Sequence, residues 1–268
     1  MPELPEVQTV VATLRPRLLG RVIRSVTLAR TDIVTPAGID LVVRLTGRTV
    51  SDVSRRGKRI VFTLDDANRF FIHLGMTGQL TVVEPKAPAA PHTHLEIDVG
   101  PGARLRFRDP RRFGGLWWLG SQAAAQDDGM GPEPLTLRPA QLGNRLARTT
   151  RAIKNALLDQ RVVAGLGNIY VDESLFAAGI HPLTAANTLT PEQVRRLNRA
   201  IKTTLRRALR HRGSTLRDYM DADGAAGEFQ RLHRVYDRAG EKCRTCKTPI
   251  ARVVLGGRST HFCPKCQK

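Results

Sequence analysis

The chain has 268 residues, with 43 lysines and arginines against 24 aspartates and glutamates, so its formal net charge is +19. So large a positive excess points to a polyanionic partner, and nucleic acid is the one we expect. The sequence contains no apolar run long enough to span a bilayer and no apolar N-terminal signal segment, so we expect a cytoplasmic protein without a membrane partner. The length suits one large domain or two of ordinary size.

The first residues, Met1-Pro2-Glu3-Leu4-Pro5-Glu6, place a proline next to two carboxylates. If Met1 is removed, Pro2 carries a free secondary amine, and an α-amino group with a pKa of about 7.7 to 8 is partly neutral at pH 7. Such an amine condenses with an aldehyde-like carbon to an iminium ion, which makes the neighbouring C–H bonds acidic. This start therefore predicts covalent lysis at a sugar or carbonyl carbon. The alternative is an ordinary chain start with Pro5 in the first turn of a helix.

A first helix is predicted directly after this start, because apolar residues recur at helical spacing and Gly20 follows them. Pro2 and Glu3 stand at its head, and its apolar positions are Val7, Val10, Val11, Leu14 and Leu18. From Arg21 to about Gly120 the pattern is strand-like and predicts an antiparallel sandwich or barrel. The strand segments are Val22-Ile23, Ile60-Val61-Phe62, Phe70-Phe71-Ile72, Leu95-Glu96-Ile97, Leu105-Arg106-Phe107 and Leu116-Trp117-Trp118. Residues 84–91 predict an exposed loop, and residues 121–134 predict a linker.

Between Pro139 and Gly213 the pattern becomes helical. Thr190-Pro191-Glu192 is a strong helix start, and Gly213 is placed to end that helix. The apolar stripe of this helix consists of Val194, Leu197, Ile201, Leu205 and Leu209, and its other face carries Arg195, Arg196, Arg199, Lys202, Arg206, Arg207 and Arg210. The basic face is compatible with nucleic-acid binding and equally with a solvated face of a highly charged protein.

Two glycines precede another helix start at Gly165-Leu166-Gly167-Asn168. Backbone N–H groups can approach a phosphate closely at such a position, and the helix dipole favours an anion there. A tight turn without any ligand fits the same pattern.

All four cysteines lie in the last 26 residues, as the pairs Cys243/Cys246 and Cys263/Cys266. Sixteen residues separate the two CxxC pairs, a spacing typical of a four-cysteine zinc site. Four thiolates complete the tetrahedron and leave no coordinated water, so we predict one structural Zn²⁺ that stabilises a short ribbon. Residues 256–260 predict a hairpin tip that holds Arg258 outward.

Six ordered segments resemble the formamidopyrimidine-DNA glycosylases, a family grouped with endonuclease VIII. They are Pro2-Glu3-Leu4-Pro5-Glu6, Arg56-Gly57-Lys58-Arg59, His73-Leu74-Gly75-Met76-Thr77-Gly78, Asp109-Pro110-Arg111-Arg112-Phe113-Gly114, Gly165-Leu166-Gly167-Asn168-Ile169-Tyr170, and the CxxC pairs enclosing Gly257-Arg258. Leu4 resembles the formamidopyrimidine branch, since endonuclease VIII proteins usually carry glycine there. The resemblance spans nearly the whole chain.

The resemblance implies an α+β architecture. We expect an N-terminal helix plus an antiparallel β-sandwich as the catalytic domain at residues 2–120, followed by the linker at 121–134. A helix–two-turns–helix domain at 135–238 and a four-cysteine zinc finger with a β-hairpin at 239–268 complete the chain.

The resemblance also implies catalytic roles for four residues of the first domain. The mature N-terminal amine of Pro2 attacks C1′ of a damaged nucleotide that is flipped out of the duplex, and Glu3 protonates the sugar ring oxygen. Glu6 supports the flipped nucleotide in its pocket. Lys58, on a turn between strands, brings a positive charge to the lesion and its phosphate.

Six further positions match DNA contacts of the family. Met76 and Phe113 enter the base stack where the flipped base has left a void, and Arg111 faces the orphaned base, with a preference for cytosine. The alternative is that Met76 and Phe113 belong to the core. The implied phosphate contacts are Asn168 and Arg258, with Lys154 as a secondary one.

The segment from Ser214 to Phe229 resembles a mobile loop that covers an oxidised purine with backbone amides. Three residues depart from the family pattern. Glu228 stands where an aromatic residue is usual, Asp237 replaces a common glycine, and Ser259 follows Arg258 where glycine is typical.

These features together predict a DNA glycosylase with AP lyase activity that removes oxidised purines, chiefly 8-oxoguanine opposite cytosine and formamidopyrimidines, with β,δ-elimination through the iminium. The expected partner is double-stranded DNA with oxidised bases or abasic sites, and the expected state is a monomer associated with the nucleoid. Two alternatives remain open: an endonuclease VIII-like enzyme for oxidised pyrimidines, and a non-catalytic zinc-ribbon protein that binds damaged DNA by charge.

Overall fold

The computed structural model describes residues 1–121 and 129–268, so residues 122–128 of the predicted linker lie outside the described part. The chain divides into two compact units. The first contains residues 1–128 and 212–228, and the second contains residues 129–211 and 229–268. Residues 212–228 therefore group with the N-terminal unit, although the sequence analysis assigned them to the helical domain.

Helix α1 (Leu4–Leu18) opens the first unit and begins after Glu3. Pro5 lies in its first turn, where the missing N–H leaves no helical hydrogen bond unmade. Gly20 has a φ of +74°, a conformation that glycine adopts without strain as the chain leaves the helix. The five apolar residues predicted for the inner face of this helix are all buried, which confirms the predicted helix.

Nine strands and one short α-helix follow among the described residues of this unit. They are β1 (Ser25–Leu28), β2 (Val34–Thr35), α2 (Leu41–Leu45), β3 (Val50–Arg56), β4 (Arg59–Leu64), β5 (Arg69–His73), β6 (Gln79–Val83), β7 (Thr93–Asp98), β8 (Arg104–Arg108) and β9 (Gly115–Gly120). They form one sheet in the order β1-β7-β8-β6 and a second in the order β2-β9-β5-β4-β3. Every pair is antiparallel except β2 with β9, so the predicted antiparallel architecture is confirmed with this one exception.

Alternation of buried and half-buried residues explains the strands that the sequence revealed. In β4, Ile60, Phe62 and Leu64 are buried, and the ring of Phe62 stacks on Phe70 with centroids 4.7 Å apart. Strands β1, β2, β3 and β6 were missed, because they are short or because polar residues interrupt their apolar pattern. The predicted strand at Val22-Ile23 is wrong, since Val22 forms only an isolated bridge.

The second unit contains four α-helices and a strand pair among its described residues. They are α3 (Pro139–Leu146), α4 (Ile153–Leu158), α5 (Asn168–Ala178), α6 (Pro191–Arg210), β10 (Ala251–Leu255) and β11 (Arg258–Phe262). The side chain of Thr190 accepts a hydrogen bond from the Gln193 amide and starts α6 as predicted. Four residues of the predicted apolar stripe are buried, whereas Leu209 is half-buried. None of the described helices is long and apolar enough to cross a membrane.

The segment 212–228 has no regular secondary structure and packs on the first unit. Tyr219 and Ala222 join the core formed by α1 and the two sheets. The carbonyl of Ala222 accepts from the amide of Val82, and its own amide donates to the hydroxyl of Thr13. These contacts explain why the segment groups with the N-terminal unit.

Candidate active site and nucleic-acid-binding residues

The head of α1 is buried, whereas the residue that precedes it is accessible. Pro2 is buried, Glu3 is 2% exposed and Met1 is 46% exposed. The carboxylate of Glu6 accepts a hydrogen bond from the amide of Glu3 at 2.8 Å. This contact turns the chain into the helix and fixes the backbone next to Pro2. Glu3 and Pro2 are therefore buried neighbours, while Met1 is exposed.

Glu6 also connects the helix to the segment 212–228. Its second carboxylate oxygen accepts from the amide of Ser214 at 2.7 Å, and the hydroxyl of Tyr219 donates to its carbonyl at 3.2 Å. A Cβ at Gly213, whose φ is +77°, would lie 2.5 Å from that same carboxylate oxygen. Only glycine fits at this position. The pocket role expected for Glu6 stays a prediction; its 2% exposed side chain is engaged with backbone amides.

Lys58 lies on the turn between β3 and β4, as predicted, but it is only 6% exposed. The turn is tied to the start of α1, because Arg55 donates to the side chain of Gln8 at 3.0 Å and to the carbonyl of Gly57 at 2.9 Å. Burial, followed by the charges of Lys58 and Arg59, lowers the pKa of nearby His73 to about 4. Lys58 is thus a buried lysine close to a histidine whose pKa is lowered.

Two loops of the first unit run side by side because of strand register. The loop 74–78 leaves β5 and enters β6, and the loop 109–114 leaves β8 and enters β9. His73 pairs with Gly115 in one sheet, and Gln79 pairs with Arg108 in the other. Both loops therefore cross between the two sheets at the same end of the strands. A Cβ at Gly75 would lie 2.4 Å from the backbone of the second loop, so the two loops are in direct contact.

The tips of these loops carry the three residues predicted to enter the base stack. Met76 is 43% exposed and Phe113 is 56% exposed, and Arg111 is exposed as well. The guanidinium carbon of Arg111 lies 4.9 Å from the centre of the Phe113 ring. The alternative that Met76 and Phe113 are core residues is therefore wrong, and the structure brings all three together.

In the second unit, the start of α5 contacts the strand pair β10–β11. The side-chain amide of Asn168, the first residue of α5, donates to the carbonyl of Ser259 at 2.9 Å. Its amide nitrogen carries a second N–H. Arg258, the neighbour of Ser259, is exposed at the start of β11. The turn is formed by Gly256 and Gly257, both with positive φ, so Arg258 to Thr260 belong to the strand and not to the predicted tip.

Lys154 differs from the expected surface contact. Its side chain is completely buried, and its Nζ donates to Asp172 at 2.7 Å and to the Ser259 carbonyl at 2.8 Å. The other carboxylate oxygen of Asp172 accepts from the amide of His261 at 2.9 Å. A direct phosphate contact does not fit this burial. Lys154 and Asp172 instead hold strand β11 at Ser259 and His261, the two residues on either side of Thr260.

The four cysteine sulfurs lie within 4.8 Å of one another. Cys243 and Cys263 are buried, and the amide of Thr245 points at the Cys243 sulfur at 3.4 Å. Four thiolates in a closed cluster fit a tetrahedral Zn²⁺, which would supply structural cross-linking here.

Two departures from the family pattern have a structural reason. Asp237 has a φ of +58°, which is the left-handed conformation that glycine favours and aspartate tolerates. Ser259 makes its contacts to Asn168 and Lys154 through its backbone carbonyl, so these contacts do not depend on the side chain at that position. Glu228 is exposed, and its departure has no structural explanation.

Sequence reasoning missed the buried acids that organise these sites. Asp109 is completely buried between the two loops, and Glu173 accepts from the amides of Arg234, Val235 and Tyr236. Burial raises the pKa of Glu173, and those three amides oppose the rise. The signal was present, since Asp172 and Glu173 interrupt an otherwise apolar helix.

Models of three protein families match the chain in order. They describe the formamidopyrimidine-DNA glycosylase N-terminal domain at residues 1–116, the formamidopyrimidine-DNA glycosylase H2TH domain at residues 130–220, and a zinc finger found in FPG and IleRS at residues 240–268. A helix on a β-sandwich, a helix–two-turns–helix region and a four-cysteine finger together define a class of DNA glycosylases.

Relatives extend the match over the full chain. The formamidopyrimidine-DNA glycosylase of Chloroflexus aggregans is 46% identical, with 100% of this chain and 98% of that protein covered. That of Bacillus subtilis is 43% identical, with 100% and 99% covered. A crystal structure of a Lactococcus lactis FPG mutant with Fapy-dG DNA has a TM-score of 0.94 at 36% identity, covering 100% of both chains. A complex between the Lactococcus lactis Fpg and DNA that contains an abasic site has a TM-score of 0.93 at 36% identity, covering 99% of both chains.

The chain belongs to the formamidopyrimidine-DNA glycosylase family. It is a base-excision-repair DNA glycosylase, and its four-cysteine finger holds one structural zinc ion.

Proposed function

We propose that this enzyme removes oxidised purines, chiefly 8-oxoguanine opposite cytosine and formamidopyrimidines, and then cuts the DNA as an AP lyase. The observation that carries the proposal is the buried start of α1, where Pro2 adjoins Glu3 and the amide of Glu3 is held by Glu6. Buried acid and amine side by side suit a reaction that needs both a nucleophile and a proton donor. The relatives named for formamidopyrimidine and bound to Fapy-dG or abasic DNA support the substrate class.

In the proposed reaction, the free amine of Pro2 attacks C1′ of the flipped nucleotide. The bond from C1′ to the base breaks, and its electron pair leaves with the base, which takes up a proton. Glu3 donates a proton to the ring oxygen as the sugar opens, and an iminium forms between Pro2 and C1′. Loss of a C2′ proton then expels the 3′ phosphate, a second elimination expels the 5′ phosphate, and water releases Pro2.

The remaining site residues hold the DNA in this proposal. Lys58 brings its charge to the lesion phosphate, and Met76, Arg111 and Phe113 fill the void in the duplex. Asn168 and Arg258 grip phosphates, and the buried Lys154 supports them indirectly through Ser259.

The proposed domain division is that of the sequence analysis, with segments at 2–120, 121–134, 135–238 and 239–268. Since chromosomal DNA is the substrate, the proposed place of action is the bacterial cytoplasm at the nucleoid, as a monomer.

Borohydride trapping tests the proposed reaction. Reduction of the iminium should fix the protein covalently to duplex DNA that contains 8-oxoguanine opposite cytosine. Pro2→Gly replaces the ring-held secondary amine with a primary amine on a more flexible residue, and it should greatly slow strand cutting while binding to an abasic analogue persists. Half-buried Pro85→Gly is the matched control, because it changes a proline far along the chain from the nucleophile.

Three results would contradict this proposal. A protein that binds but gives no adduct is a non-catalytic damage binder. Faster cutting of thymine glycol than of 8-oxoguanine indicates the endonuclease VIII-like specificity. Mass spectrometry that finds Met1 retained in fully active protein excludes Pro2 as the nucleophile.

A further inference from the structure

We infer that Asp109 is a positioning residue, which locks the two loops 74–78 and 109–114 together and thereby sets the preference of the enzyme for the base opposite the lesion. The role rests on the proposed function, because it presupposes that Met76, Arg111 and Phe113 enter the duplex.

The three residues at the loop tips lack a core that could hold them. Met76 belongs to the first loop, and Arg111 and Phe113 belong to the second. Their exposed fractions, 43% for Met76 and 56% for Phe113, leave little packing to define their positions. The relative placement of the tips must therefore come from contacts at the base of the loops.

Asp109 provides such contacts with both oxygens of one carboxylate. Oδ1 accepts from the hydroxyl of Thr77 in the first loop at 2.6 Å, and Oδ2 accepts from the amide of Gly114 at the end of the second at 2.7 Å. Asp109 is completely buried, so water does not compete for either oxygen. One side chain thus joins both loops.

The hydroxyl of Thr77 passes the connection on to Arg111. It donates its proton to Asp109, and it accepts a hydrogen bond from the backbone amide of Arg111 at 3.3 Å. The amide of Arg112 donates to the carbonyl of Asp109 at 3.2 Å, which closes the turn that carries Arg111. The backbone from which the Arg111 guanidinium extends is therefore fixed through Thr77 and Asp109.

The base of the loops is closely packed. The ring of buried His94 contacts the carbonyl of Asp109 through Nε2 at 2.9 Å. A Cβ at Gly114 would lie 2.5 Å from the carbonyl of His73, so the loops meet backbone to backbone. A preorganised pair of loops loses little freedom when it enters DNA.

This arrangement predicts a specific failure when the lock is broken. The iminium chemistry at Pro2 does not involve the loops, whereas void filling and the contact between Arg111 and the opposite base depend on them. Loss of the hydrogen bonds to Asp109 should therefore lower the excision rate on duplex DNA and weaken the preference for cytosine over adenine opposite the lesion. Activity on abasic single-stranded DNA should not change.

The test compares Asp109→Asn, Thr77→Val and the matched control Thr77→Ser with wild type and with Arg111→Ala. In Asp109→Asn, the side-chain NH2 group faces one of the two hydrogen-bond donors, Thr77 or Gly114, and cannot accept from it. Thr77→Val removes the hydroxyl, and Thr77→Ser keeps it. We expect single-turnover excision of 8-oxoguanine opposite cytosine to fall roughly tenfold in Asp109→Asn and Thr77→Val. Their cytosine-over-adenine ratio should fall toward that of Arg111→Ala, and Thr77→Ser should match wild type.

A single-stranded abasic oligonucleotide serves as the internal reference. Borohydride trapping and cutting of this substrate should stay within about twofold of wild type in Asp109→Asn, Thr77→Val and Thr77→Ser. Equal losses on duplex and single strand, or an unchanged cytosine preference in Thr77→Val, would overturn the inference while leaving the proposed reaction intact. A wild-type protein that gives no adduct on either DNA contradicts the proposed function and this role with it.

Discussion

The two compact units hold their exposed contact residues by different means. In the first unit, the loops 74–78 and 109–114 rest on the large core of α1 and two sheets, and hydrogen bonds to buried Asp109 are enough to join them. In the second unit, the strand pair β10–β11 adjoins a small cluster that contains Phe176, Val235 and Ile250 together with cysteines.

The difference teaches what each contact surface needs. A strand pair without a sizeable core depends on cross-links, here the four thiolates and the buried pair of Lys154 with Asp172. Loops that join paired strands of two wide sheets inherit their position from strand register, and polar and backbone contacts at their base hold them together. Variants can break either arrangement separately.

The largest effect is expected from loss of a zinc ligand. Cys246→Ser should prevent zinc binding, unfold the β10–β11 pair and weaken binding to an abasic-analogue duplex about 100-fold or more, because metal binding supplies the folding energy of such ribbons. The zinc content of the purified variant and its affinity for the duplex test this prediction. Exposed Lys265→Gln keeps all four thiolates and is the control. Full affinity without zinc would show that the strand pair folds on its own contacts.

The buried ion pair should give the next largest effect. Lys154→Met leaves the carboxylate of Asp172 without its cation, and such a loss costs about 3 to 5 kcal/mol. Lys154→Met/Asp172→Asn removes both charges and keeps an oxygen for the His261 amide, so it should recover most of the stability. Urea unfolding measures both variants. A double variant as unstable as the single one would mean that the hydrogen bond to Ser259 matters more than charge balance.

Glu6→Gln should have a moderate effect in the first unit. Its side-chain oxygen can serve only one of the amides of Glu3 and Ser214, and the other is left opposite an N–H group, at a cost of about 1 to 3 kcal/mol. The melting temperature and the single-turnover excision rate should both fall. The control is exposed Glu84→Gln. Unchanged stability and excision would refute a connecting role for Glu6.

The smallest effect expected is the loss of folding stability in mild acid. Because each unit contains a buried histidine, a histidine variant can show which unit is responsible. Burial lowers the pKa of His233 in the second unit to about 4, whereas an unfolded histidine titrates near 6.5. Because the folded pKa is the lower one, its contribution to stability is present above pH 6.5 and is lost as the pH falls toward 4. At pH 6 the loss is below about 1 kcal/mol.

His233→Phe should flatten this part of the pH profile, since its neighbours Phe229 and Tyr236 are aromatic. Any dependence of folding stability on pH that remains in this variant then comes from groups such as His73 in the first unit, whose pKa is likewise lowered to about 4. The control is exposed His92→Asn. A profile that His233→Phe leaves unchanged would place the acid sensitivity elsewhere.

Much of the architecture was readable from the sequence. The periodicity of Val7 to Leu18 gave α1, and Thr190-Pro191 gave the start of α6, because helix caps and apolar stripes are local signals. Strand β3 and the grouping of residues 212–228 with the first unit were not readable. Both depend on partners far along the chain, such as β4 and α1.

The sequence by itself determined the family, the zinc ligands and the identity of the proposed nucleophile, because these depend on residue type and short spacing. Only the tertiary structure decided that Lys154 is buried beside Asp172, that Glu6 holds two backbone amides, and that Asp109 joins two loops. The physical reason is that burial and hydrogen bonding are set by the packing of distant segments. A lysine or a carboxylate has the same letter in the sequence whether it faces water or the interior.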